Sequence, residues 1–166
     1  MIKEKDLYGP IANWLHELLK SRFRKHKIIV EDTSTVELSA WLISHKLASR
    51  IEYGEFFNFK VDITGAIISQ THAKLFLVEC KIKYITINDL SQILGYSRIV
   101  NPYRAMIIGP YGANRNLHRL VMISGRNEVL RFNDNQSNDS IIRICRWDLS
   151  RRDIDSSASI PLGFHP

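Results

Sequence analysis

Three charged residues interrupt two otherwise apolar runs between residues 60 and 81. Asp62 precedes the run ITGAII, and Glu79 and Lys81 end the run LFLVECK. Two strands joined by a polar turn at residues 69–72 would place Asp62 directly opposite Glu79. Facing carboxylates destabilise a sheet, whereas a divalent cation such as Mg²⁺ or Mn²⁺ would bind to them through their oxygens. Lys81 would then hold or activate a water molecule beside a phosphorus atom.

The same residues also have a purely structural interpretation. Asp62 would be a turn residue at a strand end. Glu79 and Lys81 would form an ordinary ion pair where the second strand leaves the core. The spacing alone does not distinguish the metal site from the ion pair.

The order of these residues resembles a known nuclease signature. The PD-(D/E)XK superfamily has an Asp at one strand end, followed at the next strand end by a hydrophobic residue, Glu, any residue and Lys. The pattern stands here as VD at residues 61–62 and VECK at residues 78–81. Val61 takes the place of the proline that often precedes the Asp. The resemblance covers roughly residues 51–109.

A second motif follows in the next predicted helix. Gln92 and Tyr96 lie one turn apart on one helix edge, a spacing similar to that of the exonuclease-like branch of the superfamily. The resemblance implies that this edge faces the active site and orients the lysine and the substrate. Without the preceding motif, the two residues would be an ordinary polar pair on an amphipathic helix.

The resemblance implies a Mg²⁺- or Mn²⁺-dependent nuclease, a hydrolase acting on DNA. Its catalytic residues would be Asp62, Glu79 and Lys81, and the metal ligands would be Asp62, Glu79 and the backbone carbonyl of Cys80. Two alternatives stay open. One is a nucleic-acid-binding or assembly module on the same fold with its chemistry lost; the other is a different phosphodiester enzyme, such as an RNase or a dimeric Holliday-junction resolvase. A homodimer is compatible with the DNA nuclease and with the resolvase.

Many members of this superfamily carry a third acidic residue on their first helix. We predict that helix over residues 10–24, beginning at Pro10. Glu17 is the only acid within it and lies opposite its apolar stripe, so we expect Glu17 to be a solvated surface residue. Glu52 and Glu55 precede the hairpin and are reserve ligands, for which a surface position is also favoured.

The composition suits one domain with a polyanionic partner. A chain of 166 residues can bury a substantial core. We expect a single nuclease-like domain over residues 1–150 and a poorly ordered C-terminal tail over residues 151–166. The formal charge of +6 is compatible with DNA binding. Cys80 and Cys145 are too few for a disulfide framework or a four-cysteine iron–sulfur cluster. Without a membrane-length apolar run or a signal-peptide core, we expect a cytoplasmic protein.

Later basic residues extend the predicted DNA-binding surface. Asn114 would begin a short helix that carries Arg115 and Arg119, and Arg98 lies in the helix of Gln92. These arginines would contact phosphates. The stretch ANRNLHR is equally compatible with an ordinary solvated helix face.

The element pattern predicts an α/β fold with a restriction-endonuclease-like core. A helix capped by Thr86 and Asp89 should end near Asn101 and lead into a buried strand at residues 103–108. Strand, helix and strand in this order imply a right-handed parallel crossover. We therefore predict a mixed central β-sheet flanked by helices. The remaining predicted elements are strands at 28–30, 57–64 and 141–147, and a helix at 36–48 with a capping box at Ser34 and Glu37.

Overall fold

The structure is a computed structural model that describes residues 2–133 and 140–161. Its strands are β1 (Lys27–Asp32), β2 (Ile63–Ile68), β3 (Ala73–Cys80), β4 (Arg104–Gly109), β5 (Ile142–Asp148) and β6 (Asp153–Ile160). Its α-helices are α1 (Lys5–Arg22), α2 (Leu38–Ser44), α3 (Ile87–Val100) and α4 (Arg115–His118). Short helical turns follow α2, at 48–50 and 54–56, and α4, at 119–123 and 127–130.

The six strands form one mixed sheet in chain order from β1 to β6. The pairs β1–β2, β2–β3 and β5–β6 are antiparallel, whereas β3–β4 and β4–β5 are parallel. Helices cover both faces, so the predicted α/β class with a mixed, helix-flanked sheet is confirmed. None of the helices in the described part of the chain is long and apolar enough to cross a membrane.

Side-chain alternation along β3 divides the core between the two faces. Phe76 and Val78 pack with the apolar stripe of α1. Leu75 and Leu77 pack with buried residues of α2 and α3 on the opposite face. The period of two expected of a strand buried on both sides is therefore present.

The hairpin of β2 and β3 has the predicted register. Ile63 pairs with Val78, so one further step places Asp62 opposite Glu79. The turn at residues 69–72 closes with a 3.0 Å hydrogen bond from the Ser69 N–H to the His72 carbonyl. The predicted geometry of the hairpin is thus confirmed.

The segment before β2 belongs to the start of α2 rather than to the sheet. The carbonyls of Phe57 and Phe59 accept hydrogen bonds from the N–H groups of Ser39 and Leu38, at 3.1 and 2.8 Å. These are first-turn donors of α2, which have no partner within the helix. The strand predicted over 57–64 therefore begins only at Ile63.

The capping box predicted for α2 is wrong. The Ser34 hydroxyl donates to Asp32 Oδ1 at 2.7 Å, and Glu37, at the N-cap position, makes no side-chain cap hydrogen bond. Because the carbonyls of the segment before β2 satisfy the first turn, no capping side chain is needed there. The helix is also shorter than the predicted 36–48.

The first helix begins five residues earlier than predicted. Pro10 lies inside α1 rather than at its first turn, although proline removes a helical hydrogen bond. Leu7 extends the buried stripe of Ile11 and Leu15, and burying this side chain offsets the lost bond. The predicted start at Pro10 was therefore wrong.

The predicted C-terminal tail contains a strand. Residues 153–160 form β6, which pairs with β5 and buries Ile154 and Ile160. The indole N–H of Trp14 donates to Asp153 Oδ1 at 2.8 Å and ties β6 to α1. The tail prediction is wrong for β6, because these contacts come from residues distant in the chain. Residues 162–166 lie outside the described part.

Candidate active site

The three predicted catalytic residues meet at one edge of the sheet. Asp62 comes directly before β2, and Glu79 and Lys81 lie at the end of β3. Asp62 Oδ2 accepts a 2.8 Å hydrogen bond from the Cys80 N–H. Lys81 Nζ lies 3.5 Å from Glu79 Oε2. The hairpin register therefore places two carboxylates and an ammonium together.

Glu79 is a buried acid in an unfavourable electrostatic environment. Only 4% of its surface is exposed. Burial and the charge of Asp62 raise the pKa of the Glu79 carboxyl, and Lys81 lowers it only in part, so that the pKa is about 7 rather than 4.5. An ion pair with Lys81 alone would stabilise the carboxylate. A further cation would favour the ionised form of Glu79.

Lys81 remains an ammonium despite its partial burial. Burial lowers the pKa of Lys81, but the charges of Glu79, Glu4 and Asp62 outweigh it and the pKa is raised. The side chain is therefore cationic at neutral pH and acts as a fixed positive charge. It has no capacity to accept a proton there.

The main chain at Lys81 is held closely against β4. The Lys81 N–H donates to the Ile108 carbonyl at 2.9 Å. A Cβ at Gly109 would lie 2.2 Å from the Lys81 carbonyl oxygen. Only glycine permits this approach, so the end of β4 fixes where the Lys81 side chain leaves the sheet.

A third acid, which lies outside the predicted first helix, comes from the start of α1. Glu4 lies at the N-cap position, and its Oε2 accepts a 3.2 Å hydrogen bond from the Ile82 N–H. Its charge also raises the pKa values of Glu79 and Lys81. Starting the predicted helix at Pro10 excluded Glu4 from it. The continuation of the apolar stripe to Leu7, with acids in the first turn, was the signal for the true start.

Tyr8 is a second residue of this site that was not predicted. It lies one turn after Glu4 on α1 and is half-buried. Burial, then the charge of Asp62 and a hydrogen bond with Asp62, raise the pKa of the Tyr8 hydroxyl. Tyr8 and the Cys80 N–H together orient the Asp62 carboxylate.

The other acidic candidates lie on the surface, as predicted. Glu17 is exposed and pairs with His16 at 3.1 Å. Glu52 and Glu55 are exposed in the segment between α2 and β2. None of the three is a cause of the pKa shifts of Glu79 or Lys81.

The donor set of the site is compatible with a magnesium-like ion. Within residues 2–133 and 140–161, no three His, Cys, Asp or Glu side chains form a ready metal-ligand cluster. Mg²⁺ retains several waters and needs only one or two carboxylates, which Asp62 and Glu79 supply. The Cys80 thiol is buried on the α1 face, and burial raises its pKa well above the usual value. By side-chain alternation along β3, its sulfur lies on the opposite face of the strand from the Glu79 carboxylate.

Gln92 and Tyr96 lie on the same helix, α3, but Gln92 is nearer to the end of α3 that approaches Lys81. Asp89, in the first turn of α3, contributes to the raised pKa of Lys81, so this end of α3 lies near the lysine. Gln92 follows one turn later and is exposed. Tyr96 lies a further turn along and stacks on Phe59, with ring centroids 4.3 Å apart and planes at 7°. Packing alone accounts for the Tyr96 ring.

The three candidate arginines are all exposed, but they lie in different places. Arg98 is nine residues beyond Asp89, or about 14 Å along the axis of α3, and lines a separate cavity with Asn101. Arg115 directly follows Asn114, and the Asn114 N–H donates to the Ile85 carbonyl at 2.8 Å. Ile85 is four residues after Lys81 in the chain, so this bond connects the start of α4 to the loop that follows Lys81. Arg119 begins the helical turn after α4.

Comparisons of this chain with protein-family models, with curated proteins and with solved structures found no match. The function must therefore be inferred from the site itself. The site consists of three carboxylates, one fixed ammonium and a tyrosine at the rim of the sheet.

Proposed function

We propose that this protein is a divalent-metal-dependent nuclease that hydrolyses phosphodiester bonds in DNA. The observation that carries the proposal is the buried Glu79 beside Asp62 and Lys81. A structural ion pair needs one acid and one base, whereas this edge holds surplus carboxylate charge. The resemblance to the PD-(D/E)XK signature, with its restriction-endonuclease-like core, falls on the same three residues and supports the proposal.

The acids are proposed as the metal-binding residues. A Mg²⁺ or Mn²⁺ ion held by Asp62 and Glu79 would polarise the scissile phosphate and lower the pKa of a bound water. Tyr8 and the Cys80 N–H orient Asp62, and Glu4 adds negative charge from α1. We assign to Glu4, at the N-cap of α1, the role of the acid that the superfamily resemblance implies on the first helix.

Lys81 is proposed as the electrostatic catalyst. Its raised pKa keeps it cationic, so it stabilises the charge developing on the phosphoryl oxygens and positions the attacking water. Proton abstraction by Lys81 would require a lowered pKa, which this environment opposes.

The substrate-binding residues are proposed from their exposure and charge. Arg98, Arg115 and Arg119 would contact phosphates, and the formal charge of +6 would make the affinity depend on salt. Gln92 would guide a strand past Lys81, and Tyr96 would support that edge of α3 through its stack on Phe59.

The proposal is tested on a panel of single strands, duplexes, flaps, four-way junctions and RNA with Mg²⁺ or Mn²⁺. We expect DNA cleavage that EDTA abolishes and that Lys81→Ala slows by about 100-fold or more. Lys20→Ala is the matched control. This exposed lysine lies near the end of α1, about 24 Å along the helix axis from Glu4. Full activity of Lys81→Ala, or cleavage indifferent to EDTA, would refute the mechanism.

An inactive DNA-binding module is the main alternative. A first helix without an acid near the site would favour this module, whereas Glu4 at the start of α1 supports the nuclease. DNA binding without cleavage of any substrate would favour the module. Selective cleavage of four-way junctions by a dimer would favour the resolvase instead, and cleavage of RNA alone would favour an RNase.

A further inference from the structure

Two tyrosines lie exposed on the loops that follow β3 and β4. Tyr84 is 59% exposed and Tyr111 is 56% exposed. Their ring centroids are 5.3 Å apart, and their planes are tilted by 38°. Paired aromatic rings left in solvent are typical of a binding surface. The Phe59–Tyr96 stack differs, because both of its residues are half-buried and packed against the core.

Backbone hydrogen bonds join the two loops that carry this tyrosine pair. The Ile85 N–H donates to the Gly112 carbonyl at 2.9 Å, and the Asn114 N–H donates to the Ile85 carbonyl at 2.8 Å. These bonds join the two loops just beyond the contact between Lys81 and β4. Because β3 and β4 are parallel, both loops leave the same edge of the sheet, and the tyrosine pair shares that edge with Lys81.

The surroundings of the tyrosine pair are suited to a nucleic acid strand. Lys83 is exposed immediately before Tyr84, and Arg115 is exposed on the loop side of α4. Cationic side chains attract phosphates, while aromatic rings stack on bases of any sequence. A base paired within a duplex is covered on both faces by its neighbours, so only an unpaired base offers a face to Tyr84 or Tyr111.

We infer that Tyr84 and Tyr111 form a stacking platform for unpaired nucleobases beside the scissile phosphate. The substrate class is then DNA with a single-stranded segment, either a free strand or an overhang. The location of the phosphate rests on the proposed nuclease function. The stacking of bases does not, because it requires only the rings and the neighbouring cations.

The test measures binding by fluorescence anisotropy in EDTA, so that cleavage plays no part. The probes are one fluorescein-labelled DNA strand of mixed sequence and its blunt duplex. We expect the full chain to prefer the single strand. Tyr84→Ala and Tyr111→Ala should each weaken single-strand binding by about 5- to 150-fold and leave duplex affinity unchanged. Tyr84→Phe should retain the affinity, because it keeps the ring.

Tyr53→Ala is the matched control. Tyr53 is 64% exposed in the segment between α2 and β2, so its loss removes a similar ring elsewhere on the surface and should leave single-strand affinity intact. Tyr84→Leu keeps an apolar side chain without a flat ring, and should bind as weakly as Tyr84→Ala. This second variant covers the case in which alanine perturbs the loop.

Three results would overturn the platform. The first is that the full chain does not prefer the single strand over the duplex. The second is that the Tyr84→Ala/Tyr111→Ala double variant binds the single strand as tightly as wild type does. The third is that the tyrosine variants lose the same fraction of affinity for the single strand and for the duplex. Cleavage assays with Mg²⁺ separate the two proposals. Single-strand binding through the tyrosines without cleavage would refute the nuclease alone, whereas metal-dependent cleavage with unaltered binding in the double variant would refute the platform alone.

Discussion

At the scale of single residues, Glu79 is the most informative group in the protein. It is buried, faces Asp62 across the hairpin and lies 3.5 Å from Lys81. Burial and the Asp62 charge raise its pKa in spite of the lysine. The site therefore favours either a proton or a further cation on Glu79, and this choice is measurable through stability.

The first prediction concerns the pH dependence of stability. The raised pKa means that folded Glu79 binds its proton more tightly than the unfolded chain does. Stability should therefore fall as pH rises from about 4.5 to about 7. Glu79→Gln cannot titrate, so its free energy of unfolding should rise relative to wild type by about 1–3 kcal/mol across this window. Urea denaturation in EDTA at several pH values measures it.

The control for this prediction is Glu17→Gln, which removes an exposed acid from α1. Because Glu79 is unchanged in this variant, the fall in stability between about pH 4.5 and about pH 7 should be retained. A difference between Glu79→Gln and wild type that stays constant with pH would contradict the raised pKa of Glu79.

The second prediction tests the acid at the start of α1. Glu4→Gln keeps an oxygen to accept the Ile82 N–H but removes the charge that acts on Glu79 and Lys81. We expect the Mg²⁺ concentration required for half-maximal cleavage to rise by about 10- to 100-fold, as is typical when a group supporting metal ligands is lost. Glu17→Gln, on the same helix, should behave as wild type. If Glu4→Gln and Glu17→Gln required the same Mg²⁺ concentration, Glu4 would have no role in metal binding.

At the scale of elements, the contact between β3 and β4 fixes the site. Lys81 leaves β3 where Gly109 ends β4, and the two backbones approach more closely than a Cβ permits. Gly95, in the middle of α3, has no atom within 4 Å of the position a Cβ would take. The two glycines therefore provide a matched comparison.

The third prediction is that alanine has opposite effects at these positions. Gly109→Ala should lower the free energy of unfolding by about 2–3 kcal/mol, because the obstacle is the Lys81 backbone rather than a flexible side chain. Gly95→Ala should raise it by about 0.5–1 kcal/mol, since glycine weakens a helix interior. Urea denaturation measures both. A neutral Gly109→Ala variant would show that this close contact does not constrain Lys81.

At the scale of the whole molecule, the last described strand supports the first helix. Trp14 of α1 donates to Asp153 of β6, and its ring meets Trp147 of β5 edge-on with centroids 5.9 Å apart. The same helix carries Glu4 and Tyr8 at its start. The C-terminal strand therefore helps to hold the helix that contributes to the candidate site.

The fourth prediction follows from this connection. Deletion of residues 151–166 removes β6, exposes the edge of β5 and uncovers Trp147, so we expect aggregation or loss of cooperative thermal unfolding. Asp153→Ala is the milder variant and should cost about 1–2 kcal/mol through the lost Trp14 hydrogen bond. If the shortened chain unfolded at the same temperature as wild type, residues 151–166 would be a tail that does not contribute to stability.

The sequence by itself determined the features that depend on local patterns. The alternation of side chains predicted the register that places Asp62 opposite Glu79, and a capping box predicted the start of α3 at Thr86 and Asp89. Strand, helix and strand in order predicted the parallel crossover. Each of these follows from backbone geometry and side-chain spacing within a few tens of residues.

Only the tertiary structure decided which distant residues join the site. The hydrogen bond between Glu4 and the Ile82 N–H spans 78 residues, and that between Trp14 and Asp153 spans 139. No local pattern encodes such pairs, because they form only when α1 packs across the sheet. The burial that raises the pKa of Glu79 has the same origin, since it depends on every element packed around the end of β3.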